Sequence, residues 1–202
     1  MLALTGCRRW HNARFVQGSA VTASRHDNLR HGWLAHPFRA PRILRNTLSD
    51  RGSLTQRLKA QYVDFRVIPV ARGFALPFFD EARALRLHPH TLAYVRDVLL
   101  IGDGHVRVFA HSVLLRSSLR GGWNGITRLG SKPLGEALFT NPRIRRLGLT
   151  IRRLDARHPL YRAAQRHTGI AVRQLWARRS VFCLGGRPLL VTEVFLPAID
   201  SP

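Results

Sequence analysis

The stretch that most constrains the fold is LWARRSVFCLGGRPLLVTEVFLP, Leu175 to Pro197, where two apolar, β-prone runs flank Gly185-Gly186. A Gly-Gly pair in that setting predicts a tight hairpin, because the favoured two-residue turns need positive φ. Along the second run Leu189, Val191, Glu193 and Phe195 share one face by the two-residue period of a strand. One carboxylate therefore stands in an otherwise apolar row. It either marks a sheet end near water, or it is a carboxyl held in a dry pocket with its proton affinity raised for acid–base work. The second reading calls for a cationic partner elsewhere.

A second hairpin is predicted from Thr91–Ile101 (TLAYVRDVLLI) through Gly102-Asp103-Gly104 into Val106–Leu115. Leu92, Tyr94, Arg96, Val98 and Leu100 share a face of its first strand, so Arg96 is a lone cation in an apolar row. Such an arginine either packs its stem and snorkels, or commits its guanidinium fork to a carboxylate. That carboxylate could be Glu193 or a ligand's; spacing does not choose.

Further strands are expected at Val63–Arg72, Leu147–Leu154 and Val172–Leu184. Pro69 inside the first suggests an edge or a bulge, and Gly73 a stop. Helices are expected at Pro41–Leu48, at Leu54–Gln61 capped by Ser53, in a turn at Asp80–Leu85 and near Leu160–Arg166. Gly121–Thr140 reads as two short helical pieces around Gly130-Ser131-Lys132-Pro133, a candidate lid whose turn would present backbone N–H groups to an anion. About six strands with helices between hairpins define an α+β fold with a mainly antiparallel sheet.

The 202 residues carry a formal net charge of +22, nearly all of it arginine, since only Lys59 and Lys132 are lysine. Such a charge suits nucleic acid, an anionic surface or a small anionic substrate. The arginines are scattered rather than gathered on one helix, and no zinc-spaced cysteines, stacking aromatics or basic-zipper pattern accompany them, so nucleic acid is not an expected partner. No run is long and apolar enough to span a bilayer. Residues 1–40 are basic, contain one acid, Asp27, and show little periodicity. A disordered tail, a targeting segment and sequence upstream of a misplaced start compete there, and a dispensable extension is favoured, with one domain over residues 41–202. Cys7 lies in that extension and Cys183 in an apolar strand; no disulfide between them is expected, and a cytoplasmic location fits. Phosphate loops, dinucleotide fingerprints, metal-spaced histidines and nucleophile elbows are all absent from the sequence. A site of Arg, Glu and backbone amides, free of metal and cofactor, remains.

The residues from about Leu44 to Pro197 resemble the chorismate–pyruvate lyase family. The likeness is densest at SLTQRL after Ser53, YVRDVLL around Arg96, LGSKPLGEALFT around Leu134 and WARRSVFCLGGRPLLVTEVFLP around Glu193. It implies a six-stranded antiparallel sheet with a ligand buried beneath two helical flaps. It also implies removal of pyruvate from chorismate to give 4-hydroxybenzoate, the opening step of ubiquinone biosynthesis, by a monomer without cofactor. By that likeness Arg96 matches the arginine that binds the substrate carboxylate. Leu54 and Leu134 match positions whose backbone amides hold the same group, and Glu193 matches the glutamate at the opposite end of the ring. Leu54 stands where a relative has methionine, Asn46-Thr47 where the family often has tryptophan, and His111 where it commonly has arginine. The alternative is a non-catalytic binding domain of the same fold that senses small aromatic acids. That module would keep Arg96 and the flaps but need not keep Glu193.

Overall fold

Two tight turns set the register of the sheet. The computed structural model describes residues 32–88 and 90–197. Its first elements are α1 (Arg42–Ser49), α2 (Leu54–Gln61), β1 (Phe65–Ala75), α3 (Phe79–Leu85), β2 (Ala93–Gly102) and β3 (His105–Leu115). Two 3-10 turns follow, Arg116–Arg120 and Asn124–Arg128, and then α4 (Leu134–Thr140), β4 (Arg145–Leu154), α5 (Pro159–Thr168), β5 (Leu175–Leu184) and β6 (Arg187–Phe195). Asp103 and Gly104 turn β2 into β3 with φ of 50° and 79°, and Gly185 and Gly186 turn β5 into β6 with φ of 54° and 79°. Both loops thus take the double positive-φ conformation whose twist matches paired strands.

All pairings are antiparallel, in the order β1-β2-β3-β6-β5-β4. Pro69 lies on an edge strand, where the register shifts between Pro69 and Ala71, as its missing N–H requires. Gly73 does not stop β1, which stays paired through Ala75. The Ser53 hydroxyl caps α2 by accepting from the Gln56 amide at 3.3 Å. Pro159 opens α5 and Gly169, at φ 69°, closes it.

Helices cover both faces. Leu48 of α1, with Leu54 and Leu58 of α2, packs on Val98, Leu100 and Ala110, while Leu134 and Leu138 of α4 join Tyr94, Phe182 and Leu189. On the other face α5 seats Leu160, Tyr161 and Ala164 against Phe109 and Ala177, and α3 seats Leu85 against Val113 and Leu190. The packed chain begins upstream of the expected boundary at Pro41: Trp33 is 1% exposed in this second core, and Leu34 bridges to Ile151. A side chain buried to that degree cannot belong to a solvated tail. The remainder of the predicted extension, residues 1–31, lies outside the described residues, as does the expectation about a Cys7–Cys183 bridge.

The second face also buries charge. His111 Nδ1 lies 2.6 Å from Asp97 Oδ1 across β2–β3, and its Nε2 lies 3.1 Å from Glu81 Oε1 on α3. Burial alone would depress the imidazole, but the Glu81 and Asp97 carboxylates outweigh it and hold the pKa up at about 10. Nearby, Asp80 accepts from Trp33 Nε1 at 2.7 Å and from Arg179 Nη1 at 2.9 Å, which pins the upstream segment and α3 to the sheet.

Candidate active site

Alternation along the strands sends every second residue to the face beneath α1, α2 and α4. One pocket opens there, and it brings together all four residues singled out in the sequence: Leu54, Arg96, Leu134 and Glu193. Cross-strand register places them. Arg96 stands in a rung with Ser112, Val191 and Ser180, and Glu193 in the next with Val98, Ala110 and Arg178. Arg96 and Glu193 are therefore two strands and one rung apart, about 12 Å between Cα atoms at ordinary sheet spacing. Val98, Leu100, Ala110 and Val191 floor the space between them, and Leu138 and Phe182 close it.

Arg96 is 3% exposed, so it does not snorkel. Neither does it pair with Glu193. Its Nη2 donates to the carbonyls of Gly130 and Lys132, at 2.9 and 3.2 Å. The turn before α4 therefore offers carbonyl oxygens to Arg96, where the sequence had suggested amides offered to an anion. Burial pulls the guanidinium below its ordinary range; Arg72 adds to that and Tyr94 opposes it. Nε and Nη1 take no part in these two bonds.

Leu54 and Leu134 are the first residues of α2 and α4. Backbone N–H groups in a first turn have no acceptor within their own helix, so both positions bring donors to the pocket rim. Gly135 allows the approach of the two helices: a Cβ there would lie 2.5 Å from Thr55 Oγ1. Lys59 of α2 and Glu136 of α4 form an ion pair across the same junction.

The partner of Glu193 is Arg178, which sequence reasoning passed over. The Arg178 Nε donates to Glu193 Oε2, and its Nη1 donates to the carbonyls of Thr47 and Asp50, both at 2.8 Å. Arg178 is 2% exposed. Because the contact at residue 47 is to a carbonyl, the departure at Asn46-Thr47 leaves it intact. The signal for Arg178 lay in the hairpin: a two-residue turn at Gly185-Gly186 pairs Leu184 with Arg187 and, counting back, Arg178 with Glu193. Arg146 was also missed; it comes from β4, the far edge, and lines the pocket beside Arg178. His111 is not in the pocket. It sits between Ala110 and Ser112, both of which line it, so its own side chain falls on the opposite face.

No group of His, Cys, Asp and Glu that could hold a metal occurs among the described residues. None of the described helices is long and apolar enough to cross a membrane.

An arginine at one end, an arginine-bound glutamate at the other, an apolar floor and two helix N-termini on the rim make up this pocket on one face of the sheet. The fold is shared with the C-terminal domain of PhnF (TM-score 0.53, 14% identity, 72% of this chain and 91% of that one). It is shared as well with the C-terminal domain of the histidine utilization repressor from Pseudomonas syringae pv. tomato (TM-score 0.51, 8% identity, 69% and 95%). At these identities the likeness is one of fold alone. Sequence goes further. The profile of the family described as chorismate lyase matches residues 35–201. A probable chorismate pyruvate-lyase of Thiobacillus denitrificans is 68% identical, over 88% of this chain and 95% of its own. Others so named from Azoarcus sp. and Nitrosomonas europaea are 49% and 43% identical, over 83% of this chain and 91% and 94% of theirs. The chain belongs to the chorismate lyase family.

Proposed function

We propose that this protein is a chorismate–pyruvate lyase, releasing pyruvate from chorismate to leave 4-hydroxybenzoate for ubiquinone biosynthesis. The observation that carries the proposal is the convergence of Arg96, the starts of α2 and α4, and Glu193 on one pocket with an apolar floor. Relatives named as lyases favour catalysis over a sensor module.

Each group then has a task. The Arg96 guanidinium and the Leu54 and Leu134 amides hold the ring carboxylate, which fixes the ring against the sheet. In the reaction the ether C–O bond breaks, together with the C–H bond of the adjacent hydroxyl-bearing carbon. The C–H electrons complete the aromatic ring, the C–O electrons leave on the enolate of pyruvate, and the proton ends on its methyl carbon. Glu193 meets the oxygen-bearing end of the ring and assists proton movement and charge development there. Arg178 aims that carboxylate through a bond to its Oε2. The pocket works within one chain and needs neither metal nor nucleic acid; its substrate is met in the cytoplasm.

Incubation of the purified protein with chorismate tests this, with 4-hydroxybenzoate and pyruvate both followed. Stoichiometric appearance of the two, reduced on the order of a hundredfold or more in Arg96→Ala and Glu193→Ala, is expected. Tight 4-hydroxybenzoate binding that needs Arg96, with no turnover by the wild type, would sink the lyase and leave the sensor.

A further inference from the structure

The pocket carries more positive charge than one carboxylate needs. Its charged lining residues are Arg96, Arg146, Arg178 and Glu193, and the ion pair cancels Arg178 against Glu193. Two cations remain, and they stand apart: Arg96 on β2 and Arg146 on β4, with three strands between them in the sheet order. Chorismate, on the lyase proposal on which this inference rests, is a dianion. One carboxylate is on the ring, and the other ends the enolpyruvyl arm that branches next to the hydroxyl-bearing carbon. With the ring carboxylate at Arg96 on β2 and the oxygen-bearing end at Glu193 on β6, the arm starts from the end of the ring nearer β4, the strand that carries Arg146.

Arg146 is prepared for such a group. Its Nε donates to Ser180 Oγ at 2.8 Å and its Nη1 to the Arg51 carbonyl at 2.7 Å, and neither contact uses Nη2. Its guanidinium carbon lies 5.9 Å from the Phe139 ring centre and 5.4 Å from that of Phe182, within cation–π range of both. Burial and then the Arg178 charge push it down to about 10, with Arg51 adding to the fall and Glu193 and Asp50 opposing it. A cation in that position gains from an incoming anion. We infer that Arg146 is the subsite for the enolpyruvyl carboxylate, an anchor that the dicarboxylate substrate uses and the monocarboxylate 4-hydroxybenzoate does not. The same arrangement aids turnover, since cleavage separates the two charges and each product keeps one anchor.

Steady-state kinetics on chorismate and equilibrium binding of 4-hydroxybenzoate, for wild type, Arg146→Met and Arg146→Lys, decide the point. In Arg146→Met the KM for chorismate is expected to rise ten- to a hundredfold, while the Kd for 4-hydroxybenzoate stays within about threefold; Arg146→Lys should recover part of the loss. An unchanged KM, or a product Kd that rises in step with it, would overturn the subsite. Should Arg146→Met fail to fold, 3-(carboxymethoxy)-4-hydroxybenzoate and its side-arm methyl ester would be compared on the wild type and Arg146→Lys. A preference for the acid of about tenfold or more, reduced in Arg146→Lys, supports the subsite, and no preference overturns it. A wild type inert to chorismate would remove the lyase proposal itself, an outcome distinct from each of these.

Discussion

Arg178 and Glu193 are cross-strand partners in the β5–β6 hairpin, and the Arg178 guanidinium serves the carboxylate and the α1–α2 connection at once. Removing either partner leaves the other's charge without its counter-ion in a largely buried site, at a cost of up to about 3–5 kcal/mol. Denaturant unfolding of Arg178→Met, Glu193→Gln and the double variant should therefore be strongly non-additive, with the double variant losing less than the sum of the singles. Additive losses would mean that the pair is not coupled.

The pocket rim separates a backbone role from a side-chain role at Leu54. Proline is tolerated at the first position of a helix, yet it removes the N–H. Leu54→Pro should weaken 4-hydroxybenzoate binding roughly ten- to a hundredfold beyond Leu54→Ala, the value of a charge-assisted bond. Leu54→Met should stay close to wild type. Equal losses in the proline and alanine variants, by titration calorimetry, would remove the amide from the site.

Gly135 governs how closely α4 can lie on α2. Its Cβ would meet the Thr55 side chain at 2.5 Å, so Gly135→Ala forces the two helices apart over the pocket. Product release should quicken and 4-hydroxybenzoate affinity fall by about tenfold or more, because a closed cover is what retains a ligand. Stopped-flow dissociation of the product measures this; an unchanged off-rate would show that the junction does not cover the ligand.

The β architecture was legible wherever turn chemistry spoke. Asp103-Gly104 and Gly185-Gly186 fixed both hairpins, Pro69 marked an edge, and Ser53 marked the start of α2. Alternation placed Arg96 and Glu193 each in the apolar row of its own strand. What it could not show was sheet order, so a search for the partner of Glu193 among lone cations leads to Arg96, although the hairpin count leads to Arg178. Neighbouring Arg178 and Arg179 look alike in sequence, but the strand period sends the first to Glu193 and the second to Asp80 on the other face. Arg146 was illegible for another reason: it reaches the pocket from an edge strand whose place beside β5 is a long-range fact.

His111 gives the fold a signature in pH. Its partners come from two elements, Asp97 on β2 and Glu81 on α3, and together they hold its folded pKa at about 10 against an ordinary 6.5. A raised folded value means that the stabilisation is complete below about 6.5, where folded and unfolded chains alike carry the proton. It declines as pH rises, because the unfolded chain loses its proton first, and it is gone once pH passes about 10. Unfolding free energy should thus fall between those limits. His111→Gln should be less stable at pH 6 and show a shallower slope above it, since no proton remains to be lost. A wild-type profile flat from pH 6.5 to 10 would show that the imidazole is not held charged by Glu81 and Asp97. Because the residue faces away from the pocket, the KM for chorismate should follow this titration far less than the unfolding midpoint does.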